Sequence, residues 1–217
     1  MSESGPFEVV RPRDIEMRSF EIIGEELGPL GLDGPAELVV KRVIHATADF
    51  DFARTLHFSP RAIECGIEAL RGGGDIVTDT TMVAAGINKR VLGGFGGRVH
   101  TFIADADVAE EARSRGVTRS VVSMERAARL QGPLVMAIGN APTALVRVCQ
   151  MVEDGSMRVP DLVIGVPVGF VNVVESKELL ERMPVEHIVA RGRKGGSTVA
   201  AAICNALLYI ASGDRRE

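Results

Sequence analysis

An α/β chain folded as a three-layer α/β/α sandwich, with a mainly parallel sheet of about five strands, is the architecture to expect here, and three observations lead to it. Five short, β-rich apolar runs recur from residue 75 onward, at 75–79, 98–103, 133–139, 161–166 and 187–192. Segments with helical periodicity separate them, at 82–85, 106–115, 119–130, 142–153, 173–182 and 197–211. Glycine, at 24 of 217 residues against a typical share of about 7%, punctuates the boundaries. Strands that alternate with helices pair in parallel and bury both faces, so helices must cover the sheet on each side.

Ahead of the alternating region, residues 14–27 ("DIEMRSFEIIGEEL") gather Ile15, Phe20, Ile22, Ile23 and Leu27 on one broad face, the pattern of an amphipathic helix that Gly28 and Pro29 end. A second helix is expected to start at Asp33, with Pro35 in its first turn, and to run through "AELVVKRVIHA". An aspartate cap and an early proline satisfy or remove amide donors that the first turn leaves unpaired. His45 then falls near the carboxyl end. Ser59 and Pro60 repeat the start signal before "RAIECGIEALRGGG", which the triple glycine 72–74 ends. In open parallel sheets, ligands sit beyond the carboxyl ends of the strands, where loops enter helix amino termini. "DTTM", "GNAPTA", "PVGFVN" and "RGRKGGST" fall there.

Composition removes several function classes. A net charge of −4 argues against a nucleic-acid binder with a broad basic face. No apolar run reaches the ~18 residues of a membrane span, so no membrane partner is expected. The start "MSESGPFEVVRPRD" lacks the basic and apolar regions of a secretion signal. Cys65, Cys149 and Cys204 are odd in number and far apart, which offers neither a disulfide framework nor a thiolate zinc site. A reducing, cytoplasmic setting is expected. With no linker, low-complexity tract or repeat, residues 1–217 read as one domain.

The familiar catalytic motifs fail when checked. "GRKGGST" lacks the spacing of a phosphate loop, "GGFGG" is not a dinucleotide fingerprint, and there is no G-x-S-x-G or H-E-x-x-H. His45, His57, His100 and His187 are too scattered along the chain for a local metal cluster, so no metal site is expected. What remains is an anion-receptive edge. The helix starts in "GNAPTA" and "GRKGGST" present free amides, so Asn140, Gly195, Gly196 and Ser197 become binding candidates. Arg191, Arg193 and Lys194 add charge, and Lys89, Arg90 and Arg119 can face the same mouth. His45 is the candidate proton donor, because histidine titrates near neutrality. A terminal carbonyl could equally hold its ring. Thr47, Asp49 and Asp51 could orient it or cap the following turn.

"KRVIHATADFDFA", "GGDIVTDTTMVAAGINK", "VMAIGNAPTAL", "VIGVPVGFVNVVESKELL" and "ARGRKGGSTVAAAICNALL", in that order and spacing, resemble the precorrin-8X methylmutase family of corrinoid biosynthesis, and the likeness runs from Arg18 to the last helix. The resemblance implies an isomerase that moves a methyl group from the carbon beside ring C onto ring C of precorrin-8X or cobalt-precorrin-8. It also implies no cofactor and a homodimer with its sites at the interface. His45 takes the position of the family's catalytic histidine, Arg119 that of a substrate-binding arginine, and Ser19, Asn88 and Lys89 other binding positions. Some relatives carry Thr-Arg where Asn88-Lys89 stands. "HATADFDF" is nearer the cobalt-dependent branch. A chemically silent tetrapyrrole-binding or handover protein, and a nucleotide-binding enzyme using "GRKGGST", are the alternatives.

Overall fold

One six-stranded sheet carries the chain, its strands ordered β1-β6-β5-β4-β2-β3. A computed structural model describes residues 8, 10–32 and 34–213; the cap expected at Asp33 lies outside them. After a short 3-10 turn at Pro12–Asp14 come α1 (Ile15–Leu27), α2 (Gly34–Thr47), α3 (Phe52–Thr55), β1 (Leu56–Phe58) and α4 (Ala62–Arg71). The alternating part follows as β2 (Asp75–Thr78), α5 (Thr81–Gly86), α6 (Lys89–Gly94), β3 (Val99–His100), α7 (Ala106–Arg115), α8 (Arg119–Ala127) and β4 (Leu134–Ile138). It closes with α9 (Pro142–Glu153), β5 (Leu162–Gly165), α10 (Val173–Glu181), β6 (His187–Ala190) and α11 (Ser197–Ser212).

The three-layer expectation holds, because strand side chains alternate between two cores. Ile76, Val135, Ala137 and Ile164 join α2, α4 and α11 on one face. Val77, Met136, Ile138 and Val163 join α8 and α9 on the other. β4, the central strand, is buried at every residue, which is why its run reads as continuously apolar rather than alternating. α11 is buried along most of its length. Its alanines let neighbours come close: a Cβ on Gly86 would stand 2.7 Å from that of Ala201. Among the described residues no helix is long and apolar enough to cross a membrane.

Strand count and strand length depart from expectation. β1 is a sixth strand and the one antiparallel member, pairing Leu56, His57 and Phe58 with Ala190, Val189 and Ile188. Three residues carry no periodicity, and their partner lies over a hundred residues away, so nothing local announces them. The run at 98–103 shrinks to the two residues of β3, since Phe102 leaves the sheet to pack on both core clusters of the α7–α8 side and its carbonyl accepts the turn bond from Asp105 N (3.1 Å). α3 and α6 are also additional. Asn88 starts α6 by accepting from Val91 N (3.2 Å), as Thr80 does for α5 and Thr118 for α8.

Candidate active site

α2 buries Val39, Val40, Val43 and Ile44 against the core, and this stripe leaves His45 exposed in the last helical turn. The helix ends at once. Ala48 takes a left-handed φ of 52° and donates its N–H to Ile44 O (2.7 Å), a conformation disfavoured for any residue with a Cβ. Ser19, from α1, places its hydroxyl 2.8 Å from His45 Nδ1. Phe20 stacks on the imidazole, centroids 5.5 Å apart and planes 12° from parallel. Arg42 backs Phe20 at 5.2 Å and Tyr209 at 4.6 Å while donating to Glu16 (2.7 Å). The ring is thus held by one hydroxyl and one aromatic face. When Ser19 donates to Nδ1, the ring hydrogen sits on Nε2, the nitrogen left for a ligand.

Two cavities share His45 as a wall. One, about 520 Å³, has aliphatic walls at Ile15, Ile22 and Ile44, with Glu8, Arg18 and Glu26 also on its border. The other, about 330 Å³, is bounded by Met82, Gly86, Ser197, Ala201 and Asn205. Ser197 opens α11, whose amino terminus has no side-chain cap, so its first amides are available to an anion. Asn205 ties this wall together, accepting from Asn88 N and donating to Gly86 O, both at 2.8 Å.

The structure thus brings His45, Ser19 and Ser197 together and sets Asn88 just behind them. Asn88 is occupied as a helix cap and donates to the Tyr209 hydroxyl (3.1 Å). Lys89 is exposed at the start of α6. Arg119 is exposed at the start of α8, in the opposite helical layer, and lines neither His45 cavity. Gly195 and Gly196 shape the last loop: at Gly195, with φ 156°, a Cβ would stand 2.2 Å from Val166 O.

Several readings of the loops need correction. The amides of Gly139, Asn140 and Ala141 already donate to the buried carboxylate of Asp79, at 2.9, 2.8 and 2.7 Å, so the "GNAPTA" nest holds an anion of the chain's own. Burial pushes that carboxyl up while the three amides pull it down. Lys194 is paired with Asp49 and Asp51 (2.6 and 2.7 Å) and Arg191 with Glu181 (2.7 Å). Arg193 stacks over Phe170 at 5.5 Å. Thr47 accepts from Asp49 N and donates to Val43 O; Thr47, Asp49 and Asp51 therefore tie turns rather than orient His45. His57 and His187 are not scattered, since their rings lie 6.2 Å apart. Burial raises Cys149 and Cys204 to about 12, far from a reactive thiolate.

Two buried charges go beyond what the sequence leads one to expect. Asp79 carries a local signal, an acid directly after an apolar strand. Lys177 shares one helical face with Val173, Ser176 and Leu180, a spacing that marks it as buried. Its ammonium donates to Gly192 O and Lys194 O (2.7 and 2.8 Å) and so clamps the "RGRKGG" loop from beneath.

Comparison with known proteins identifies the family. The family model described as "CbiC: Precorrin-8X methylmutase" matches residues 14–210. A cobalt-precorrin-8 methylmutase of Priestia megaterium is 45% identical over 93% of this chain and 89% of that protein. A precorrin-8X methylmutase of Pseudomonas aeruginosa is 41% identical over 89% of this chain and 93% of that protein. The crystal structure of the precorrin-8X methylmutase of Thermus thermophilus superposes with a TM-score of 0.84 at 39% identity, covering 92% of this chain and 98% of that one. On sequence and architecture together, the chain belongs to the precorrin-8X methylmutase family.

Proposed function

We propose that this chain is an isomerase that shifts a methyl group from the carbon beside ring C onto ring C of precorrin-8X or its cobalt form. The observation that carries the reading is His45, exposed between two cavities and fixed at Nδ1 by Ser19 (2.8 Å). An intramolecular methyl shift has no leaving group, hydride or water, so it asks for neither a nucleophile nor a redox partner. It gains from a proton or strong hydrogen bond at the macrocycle, which draws electron density from the migrating centre and favours the rearranged ring. His45 is that donor. Aliphatic walls suit the flat faces of the ring, and the uncapped start of α11 at Ser197 suits a rim carboxylate.

The active unit in this reading is a homodimer, with Arg119 of one chain reaching the His45 cavity of the other. Exposed Val168, Phe170 and Val171 in the loop before α10 support a covered face there. In this reading the chain is one domain, its described residues gathered around one sheet, and the three free cysteines suit a cytoplasmic address. A His45→Ala chain is expected to fold and bind the pigment but to lose turnover by about 10²–10⁴-fold, read from the visible spectrum over many turnovers. Undiminished turnover removes His45 from the mechanism. A stoichiometric spectral shift without turnover in the unaltered chain would make this a binding protein instead.

A further inference from the structure

We propose a second site, on the sheet face away from His45, in which His57, Glu181 and His187 bind one zinc ion. One ligand atom from each lies within 4.8 Å of the others. His57 stands between Leu56 and Phe58, which pack toward α2, so it projects to the opposite face. His187 alternates with Ile188 in the same way, and Glu181 closes α10 on that side.

The hydrogen bonding of His187 sets it up as a ligand. It is 5% exposed, and its Nδ1 lies 2.8 Å from Val185 O. A carbonyl only accepts, so Nδ1 carries the hydrogen and Nε2 presents a lone pair. That Nε2 is buried with no partner in the protein, an arrangement rare for a buried polar atom and usual for a metal-binding imidazole. His57 Nδ1 is likewise buried and unbonded, although it stands 3.2 Å from Glu181 Oε1. Arg191 donates to Oε1 of the same carboxylate (2.7 Å), orienting it and leaving its second oxygen to the ion.

Two imidazoles and one carboxylate form a donor set suited to Zn²⁺ rather than to the oxygen-seeking Ca²⁺ or Mg²⁺. Ligand atoms around tetrahedral zinc stand about 3.4 Å apart, so loading draws the three inward. An edge strand and a helix end can make that movement. A cavity bordered by Ser59, Glu181, Met183 and His187 reaches two of the three ligands from solvent. The bound ion would staple β1, the antiparallel edge strand, to α10 and β6.

Full-length protein stripped with chelator, loaded with zinc chloride and desalted, should retain about one zinc per chain by elemental analysis and should melt at a higher temperature than the stripped form. His45→Ala should retain the same amount. His57→Ala and Glu181→Gln, both outside the dry core, should fold with unchanged circular dichroism yet lose the retained zinc and the melting shift. No stoichiometric zinc in the unaltered chain, or retention that both variants leave intact, overturns the proposal.

Discussion

Lys177 is a lysine with 1% exposure whose only described partners are two backbone carbonyls. Desolvation lowers its titration from 10.5 to about 8, because no carboxylate offsets the lost hydration. Between these values the unfolded chain binds more protons than the folded one. Stability contributed by this residue therefore rises with pH from about 8 to 10.5 and declines as pH falls back to 8. Urea unfolding of the unaltered chain and of Lys177→Met should show the difference moving in favour of the lysine by roughly 1–3 kcal/mol between pH 8 and pH 10; an equal gap at both pH values refutes it. Residues of this kind also set the limit of sequence reading. His45 is legible because it sits at the end of a strongly patterned helix. Ser19, which bonds its ring, is 26 positions away on another helix, and only the packing of α1 on α2 brings them together. Asp79 is legible as an acid at a strand end, but its three amide partners depend on the register of β2 with β4.

At the scale of elements, each strand from β2 onward falls within an expected run, and long helices such as α9 and α11 lie close to their expected bounds, since burial and periodicity act over neighbouring residues. β1 and α6 escape that logic: one exists through pairing with β6, and the other includes Gly93 and Gly94, residues with low helix propensity. The sequence leads one to expect a binding element in the last loop, yet its charges are engaged by Asp49, Asp51, Glu181 and Phe170. What the loop does supply is backbone shape. Gly195→Ala would push a Cβ against Val166 O at a φ of 156°, where the obstacle is backbone and cannot swing aside. Calorimetry should register a loss of about 2–4 kcal/mol, a fall of roughly 5–15 °C in melting temperature. Gly93→Ala is the contrasting case. Its Cβ meets nothing within 4 Å in α6, so the same substitution should be neutral or stabilising by about 0.5–1 kcal/mol. Equal behaviour of the two variants would mean that close approach to Val166 is not what demands glycine.

Taken as a whole, the molecule separates its two candidate substrate contacts by a sheet. His45 belongs to the layer of α1, α2 and α11, whereas Arg119 opens α8 in the other layer and forms no ion pair among the described residues. An exposed guanidinium with no internal carboxylate suits a carboxylate from outside. A two-fold dimer can set the Arg119 of each chain at the partner's His45 cavity, because an isologous interface makes such a contact twice. The arrangement has a consequence that no single-chain site shares. In the homodimer proposed above, mixing His45→Ala chains with Arg119→Ala chains would yield hybrids in which one site carries both lesions and the other carries neither. After random exchange about a quarter of all sites are intact, so about a quarter of the unaltered turnover should reappear from two nearly inactive parents. If each site were built within one chain, every site would retain one lesion, and the mixture would never exceed the average of its parents. Exchange can be verified by tagging one variant and isolating the hybrid. A hybrid purified in that way and still inactive would place Arg119 and His45 in the same chain, or Arg119 outside the site altogether.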